Sequence, residues 1–199
     1  DFVRYAATVQ GNYATAIETA WRMAKRIQGR EVILRSGQKR VSAPWLVMKI
    51  FARWDDLLAL TPEHQGTPYL DGIWSYAIGS AQIAKGRLEA AQKTYERLEE
   101  IAEAPDADDY RVGATPASAV LKLAALGLKG ELLMARGELD DAVRAFRAAV
   151  AIEDFNNYTE PPDWAQPMRH YLGAALLKAN KPVEAEAVYR RDLRWNQNN

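Results

Sequence analysis

Apolar and polar residues alternate along this chain in the rhythm of amphipathic helices. From Leu88 the apolar positions recur at three- and four-residue steps through Ala91, Tyr95, Leu98 and Ala102. The same stripe returns at Leu139, Ala142, Phe146, Ala149 and Val150. A period near 3.6 places each set on one face of a helix, so both stretches are predicted to be helices with one buried side. Gly86 and Gly137 stand just before these stripes and suit the left-handed conformation that ends a preceding helix.

The pattern repeats at a larger scale. Three segments, Trp74 to Ala104, Ala125 to Asp154 and Met168 to Asn198, align without gaps over their first twenty or so residues. Gly79, Gly130 and Gly173 mark the first helix of each, and Ala91, Ala142 and Ala185 follow in the second. An aromatic comes one helical turn later in every copy: Tyr95, Phe146 and Tyr189. Between the helices stands a turn residue, Gly86, Gly137 or Asn180. Each unit is therefore a helical hairpin. Its small residues let the two helices approach, and its aromatic fills the space between successive hairpins. These are packing positions, not catalytic ones.

The units resemble tetratricopeptide repeats, whose motif has a small residue in each helix, then an aromatic, and often a proline at the end. Gly79, Ala91, Tyr95 and Pro105 match it, as do Gly130, Ala142 and Phe146, and then Gly173, Ala185 and Tyr189. Pro182 replaces the leucine found at Leu88 and Leu139. Glu160 to Trp164, with Tyr171 to Lys178 and Glu184 to Arg190, is similar to the C-terminal part of bacterial tetratricopeptide proteins of unassigned function. The resemblance covers residues 72 to 198 and weakens before them. It implies an all-α fold, an α-solenoid of stacked antiparallel helix pairs.

The expected units are 1–29 (partial and degenerate), 30–68 (degenerate), 69–106, 114–156 and 163–199. In the first, Gly11, Tyr13, Ala16 and Ala20 hold the motif places, Arg4 falls where the glycine belongs, and the helices span 1–10 and 12–28. In the second, Ala52, Trp54 and Leu57 hold them, with the first helix near Pro44 to Phe51 after a polar loop at 35–40. Helix starts are expected where a capping residue meets proline: Ser42-Ala43-Pro44, Thr61-Pro62 and Thr115-Pro116, with Pro182 opening the last helix. Asp163 with Gln166 reads as a capping box.

Composition then removes whole classes of function. With 26 basic and 26 acidic side chains the formal net charge is zero, which argues against a nucleic-acid partner, since that requires a surplus of Lys and Arg. Without cysteine there is no disulfide, thiol nucleophile or zinc-thiolate site. No apolar run approaches the length of a membrane span. The chain carries no phosphate loop, nucleophile elbow or metalloprotease helix. His64 and His170 have no partner at metal-ligand spacing, and His64 reads as a solvated turn residue. Asp106, Asp108 and Asp109 lack the calcium-loop pattern, and the lone sequon at Asn157-Tyr158-Thr159 carries little weight. No catalytic residue, metal or cofactor is assigned, and the chain is read as a non-enzyme. Apolar residues at both ends (Phe2 and Tyr5, Leu193 and Trp195) lead us to expect a piece of a longer protein, with targeting segment and compartment undetermined.

Function follows from the implied geometry. In such a superhelix the first helix of each pair lines the concave face. Counting from the marker glycines, the inward positions are Tyr76, Ser80 and Ile83; Gly127, Glu131 and Met134; and His170, Ala174 and Leu177. From these, Tyr76, Ser80, Ile83, Glu131, Met134 and His170 are the candidate partner-binding residues, with Tyr76 foremost. The family's clamp for a C-terminal carboxylate uses Lys, Asn and Arg, and none of the nine is one. The expectation is a protein- or peptide-binding scaffold; the alternative is a structural or oligomerisation domain of a larger protein. Trp21, Trp45, Trp54 and Trp195 on the convex side or at the ends would favour assembly, and a wet aromatic groove would favour ligand binding.

Overall fold

Five left-handed turns divide the chain into antiparallel helix pairs in the computed structural model, which describes residues 1–30, 32, 34, 36–61, 66–156, 159–164 and 166–195, the last without its side chain. The first helices of the pairs are α1 (Phe2–Val9), α3 (Gly37–Ile50), α5 (Pro68–Ala84), α7 (Ala117–Arg136) and α9 (Met168–Lys178). Their partners are α2 (Tyr13–Ile27), α4 (Trp54–Ala59), α6 (Leu88–Glu103), α8 (Leu139–Phe155) and α10 (Pro182–Trp195). A 3-10 turn (Pro105–Asp109) and a two-residue antiparallel hairpin, β1 (Arg111–Val112) with β2 (Thr115–Pro116), interrupt the array between α6 and α7. The fold is all-α.

The turn residues carry φ of 73° at Gly11, 53° at Ala52, 71° at Gly86, 83° at Gly137 and 57° at Asn180. At Gly137 this lets the backbone N–H turn back to the Leu133 and Met134 carbonyls, closing α7. Ala52 and Asn180 hold the same conformation against their own Cβ, which asparagine tolerates better than alanine.

Consecutive first helices pack against one another, α3 on α5, α5 on α7 and α7 on α9, so they form one inner layer. The second helices sit between their own partner and the next first helix on the outside: α6 touches α5 and α7, and α8 touches α7 and α9. One apolar core runs through the inner layer, with Tyr69, Ile73, Leu121, Leu128, Phe146 and Leu176 fully enclosed. A smaller one ties α1 and α2 to α3 through Ala7, Ala16, Ala20, Ala43 and Val47.

The marker glycines sit at close approaches, with one difference from expectation. A Cβ on Gly130 would lie 2.5 Å from the Phe146 ring, and one on Gly173 would lie 2.2 Å from the Tyr189 ring, each within its own hairpin. Gly79 instead meets Leu128 of the next unit, 2.6 Å away. Tyr95 is drawn off along α6, where its hydroxyl donates to Glu99 and Lys129 lies over its ring, and Leu128 takes the space.

Several helix starts also differ. α3 begins at Gly37, so Pro44 lies inside it and residues 37–40 are helical rather than loop. Pro44 leaves the Arg40 carbonyl without its helical donor, while the Ser42 hydroxyl ties down the neighbouring turn by donating to the Lys39 carbonyl at 3.2 Å. Thr115-Pro116 is spent on the β-hairpin, and α7 starts after it at Ala117. Asp163 caps nothing: its carboxylate is engaged with Lys39 and Thr115, and α9 starts at Met168. α5 opens at Pro68, with the Thr67 hydroxyl accepting from the Leu70 N–H at 3.3 Å. Pro62 and His64, and residues 157 and 158 of the sequon, lie outside the described residues.

In an open helix, glycine to alanine gains about 0.5–1 kcal/mol from propensity. At Gly130 the added methyl would strike the Phe146 ring, which Phe146, fully buried, has no room to move away from. Gly130→Ala is therefore expected to reverse the sign and destabilise by about 1–3 kcal/mol. Thermal melts in which Gly130→Ala equals or exceeds the parent would disprove this contact.

Candidate functional site

Four successive first helices each send one side chain to the middle of the inner layer. They are Lys49 in the last turn of α3, Tyr76 in α5, Glu131 in α7 and Tyr171 in the first turn of α9. The Lys49 ammonium donates to Glu131 Oε1 at 2.9 Å and to the Tyr171 hydroxyl at 2.8 Å. It also lies 4.5 Å from the Tyr76 ring centre and 4.8 Å from that of Tyr171. Burial alone would lower this ammonium's pKa; Glu131 and the Tyr171 hydroxyl outweigh it and hold the group above its ordinary value, so it stays charged. Burial raises the Tyr76 phenol well above its usual range, so it stays neutral.

The segment between α8 and α9 crosses this inner face. Trp164 packs on Tyr76 with ring centres 5.2 Å apart, and together with Leu46, Ile50 and Gln166 they wall a small cavity beside Lys49 and Tyr171. Gln166 accepts a hydrogen bond from the Tyr171 hydroxyl at 2.7 Å. Further along, Lys39 at the start of α3 donates to the Pro161 carbonyl at 2.7 Å and to Asp163 Oδ1 at 3.0 Å. The Thr115 hydroxyl donates to the other oxygen, Oδ2, at 2.8 Å. The centre of the concave face is thus a dry aromatic and ionic cluster, not a wet groove.

The expected binding positions separate accordingly. Tyr76 is 2% exposed beneath Trp164. Ser80 is equally enclosed, and its hydroxyl donates to the Tyr76 carbonyl at 3.0 Å. Gly127 is covered by Met168. Glu131 is committed to Lys49. His170 turns to the second helix of its own unit, where Nε2 lies 2.9 Å from Asp192 Oδ2, and Tyr171, one residue on, takes the inward place. Ile83 and Met134 are half-buried, and Ala174 and Leu177 are exposed, Leu177 by 52%. Lys49, Lys39, Tyr171, Asp163 and Trp164 were not among the expected site residues. Of the tryptophans, Trp45 is buried against Trp74, Trp21 and Trp54 are half-buried, and the Trp195 side chain lies outside the described residues.

A second cluster lies beside His170. Arg169 pairs with Asp154 at 2.6 Å, and Glu153 Oε2 accepts from the Met168 N–H at 2.9 Å, satisfying the start of α9. Burial pushes the Glu153 carboxyl up from 4.5 to about 7, against the pull of the Met168 N–H and Arg169. Among the described residues no group of three or more His, Asp or Glu comes together as a metal site. No described helix is long and apolar enough to cross a membrane.

Two outcomes follow from these environments. Removing Lys49 alone leaves Glu131 without its cation, and Lys49→Met is expected to cost about 3–5 kcal/mol, while Lys49→Met with Glu131→Gln recovers most of it; additive losses in urea titrations would show that the pair is not coupled. Glu153 has a raised folded pKa, so its favourable contribution is complete below pH 4.5 and disappears as pH rises through about 7. Glu153→Gln keeps an acceptor for the Met168 N–H without the buried charge. It is expected to exceed the parent in stability by about 1–2 kcal/mol at pH 8 and to match it at pH 5; a difference independent of pH would refute the assignment.

Residues 75–105 match the family model of a tetratricopeptide repeat. The match runs from the middle of α5 through the Gly86 turn and all of α6 to Pro105, the segment whose spacing first suggested a repeat. No curated protein and no solved structure matches the chain. Repeats of this family generally mediate protein–protein interaction and are typically non-catalytic. By this match, residues 75–105 are similar to a tetratricopeptide repeat and lie within an all-α array of helical hairpins.

Proposed function

We propose that the chain is a non-catalytic scaffold that binds a protein or peptide partner on the inner face of its helical array. The observation that carries this reading is the alignment of apolar side chains at the ends of three successive first helices. Ile83, Met134 and Leu177 occupy equivalent places in the last turns of α5, α7 and α9, just before the left-handed turns. All three keep some exposure, and Leu177 is half open to solvent. Ile83 and Met134 also pack against the core, and the parts of them left open, together with Leu177, are an apolar surface that a peptide's own apolar residues can cover. Nucleic acid is not a suitable partner for a chain of zero net charge. Of the sequence candidates, Ile83 and Met134 belong to this binding strip, while Tyr76, Ser80 and Glu131 support it from within and His170 pairs with Asp192 of α10 instead.

The test is selection of a random displayed-peptide library on the full chain, followed by amide hydrogen exchange with a selected peptide. Protection is expected at the C-terminal turns of α5, α7 and α9. Leu177→Asp is expected to weaken binding at least 10-fold at an unchanged melting temperature. Protection confined to α2, α6, α8 and α10, or equal binding to folded Leu177→Asp, would overturn the reading in favour of a structural domain.

A further inference from the structure

The connection from α8 to α9 does more than join two helices. It leaves Phe155, reaches α3 across the inner layer, and returns to start α9 at Met168. Its contacts there are those of a bound peptide. A lysine takes a backbone carbonyl, Lys39 to Pro161 at 2.7 Å. Both oxygens of one carboxylate are held, Asp163 by Lys39 at 3.0 Å and by Thr115 at 2.8 Å. The next side chain, Trp164, lies on an aromatic shelf, Tyr76.

The occupant is imperfectly suited to its seat. Three buried side-chain polar atoms among the described residues have no hydrogen-bond partner, and two of them, Thr159 Oγ1 and Trp164 Nε1, belong to this one segment. The site's own groups, by contrast, are well provided: Lys49 has Glu131 and Tyr171. A buried N–H or O–H left unpaired opposes burial, so the segment is the part of this cluster held least firmly by its polar atoms.

We propose that residues 159–164 are a tethered occupant of a peptide site, and that this site accepts in trans an extended peptide in which an acidic residue is followed directly by an aromatic one. The proposal rests on the scaffold reading and adds the chemistry of the partner. Lys39 and Thr115 select the carboxylate, and Tyr76 with Leu46 and Ile50 selects the ring. The shelf offers the indole N–H no acceptor, so a phenylalanine serves as well as a tryptophan. A partner carrying this pair displaces the segment, which lets occupancy of the site be sensed at the start of α9.

The probe is a fluorescein-labelled synthetic peptide with the sequence of residues 159–164, titrated by fluorescence anisotropy. Two full-length variants vacate the site, Asp163→Ala with Trp164→Ala, and a glycine–serine replacement of residues 159–164 of equal length. Saturable binding is expected to at least one folded variant and at least 10-fold more weakly to wild type. Adding Lys39→Ala is expected to weaken it a further 10-fold or more. Phenylalanine in place of the peptide's tryptophan is expected to bind no worse, and asparagine in place of its aspartate to lose 10-fold or more. Absence of binding by every variant that keeps its helical circular dichroism overturns the proposal. So does loss of fold in both variants, since the segment would then be integral core. In either case, library-selected peptides that still protect the last turns of α5, α7 and α9 in the parent leave the scaffold reading standing.

Discussion

A single buried ammonium sets the geometry of the inner layer. Lys49 lies where α3, α5, α7 and α9 converge, and a charge in that position is tolerated only when its hydrogen-bonding capacity is met. Its partners come from three other helices: a carboxylate from α7, a hydroxyl from α9 and the ring face of Tyr76 from α5. Apolar contacts between helices tolerate sliding far better than a short ionic hydrogen bond does. The stagger of the first helices is thereby fixed at one point. This matters most for the second unit, whose α4 is only six residues long and can bury little of its own. Lys49 lends that unit the anchorage its short second helix lacks.

The repeat was legible because it depends on local rules. All five turn residues read from the sequence hold left-handed backbone, including Ala52, which has no intrinsic reason to be there and was recognised by position alone. The hairpin contacts of Gly130 and Gly173 followed from the same register. Local rules failed where a distant segment overrode them. Pro44 looks like a helix start, yet α3 begins a full two turns earlier because residues 37–43 find partners in Asp163, Pro161 and the first-unit core. Thr115 looks like a cap, yet its hydroxyl is committed to Asp163.

The inner face was legible in part. Counting from the glycines brought out Tyr76 and Glu131, and both do meet at the centre, but direction along a helix says nothing about what covers it. The cover is Trp164, and no periodicity links it to Tyr76. His170 and Tyr171 differ by about 100° around α9, so an offset of one residue in the register exchanged one for the other. Lys49 did leave a signal, as the only charged residue between Trp45 and Phe51. A lone lysine in an apolar stretch must find a counter-charge or reach solvent, and here it finds Glu131.

The two interruptions of the repeat are one structural device. The stretch between α6 and α7 carries Thr115, the stretch between α8 and α9 carries Asp163, and the two meet in a hydrogen bond on the inner face. Long connections cost little in loop entropy, and this contact ties the two together on the inner face. Sending the second stretch across the array has a further consequence at α9, whose N-cap residue is Pro167 and gives it no side-chain cap. Glu153 of α8 supplies the missing acceptor, and because it does so from within the hairpin, its carboxyl is lifted to about 7. The diverted segment and the perturbed carboxyl therefore have a common origin. An array with a short connection at this point would need neither, and its inner face would stand open.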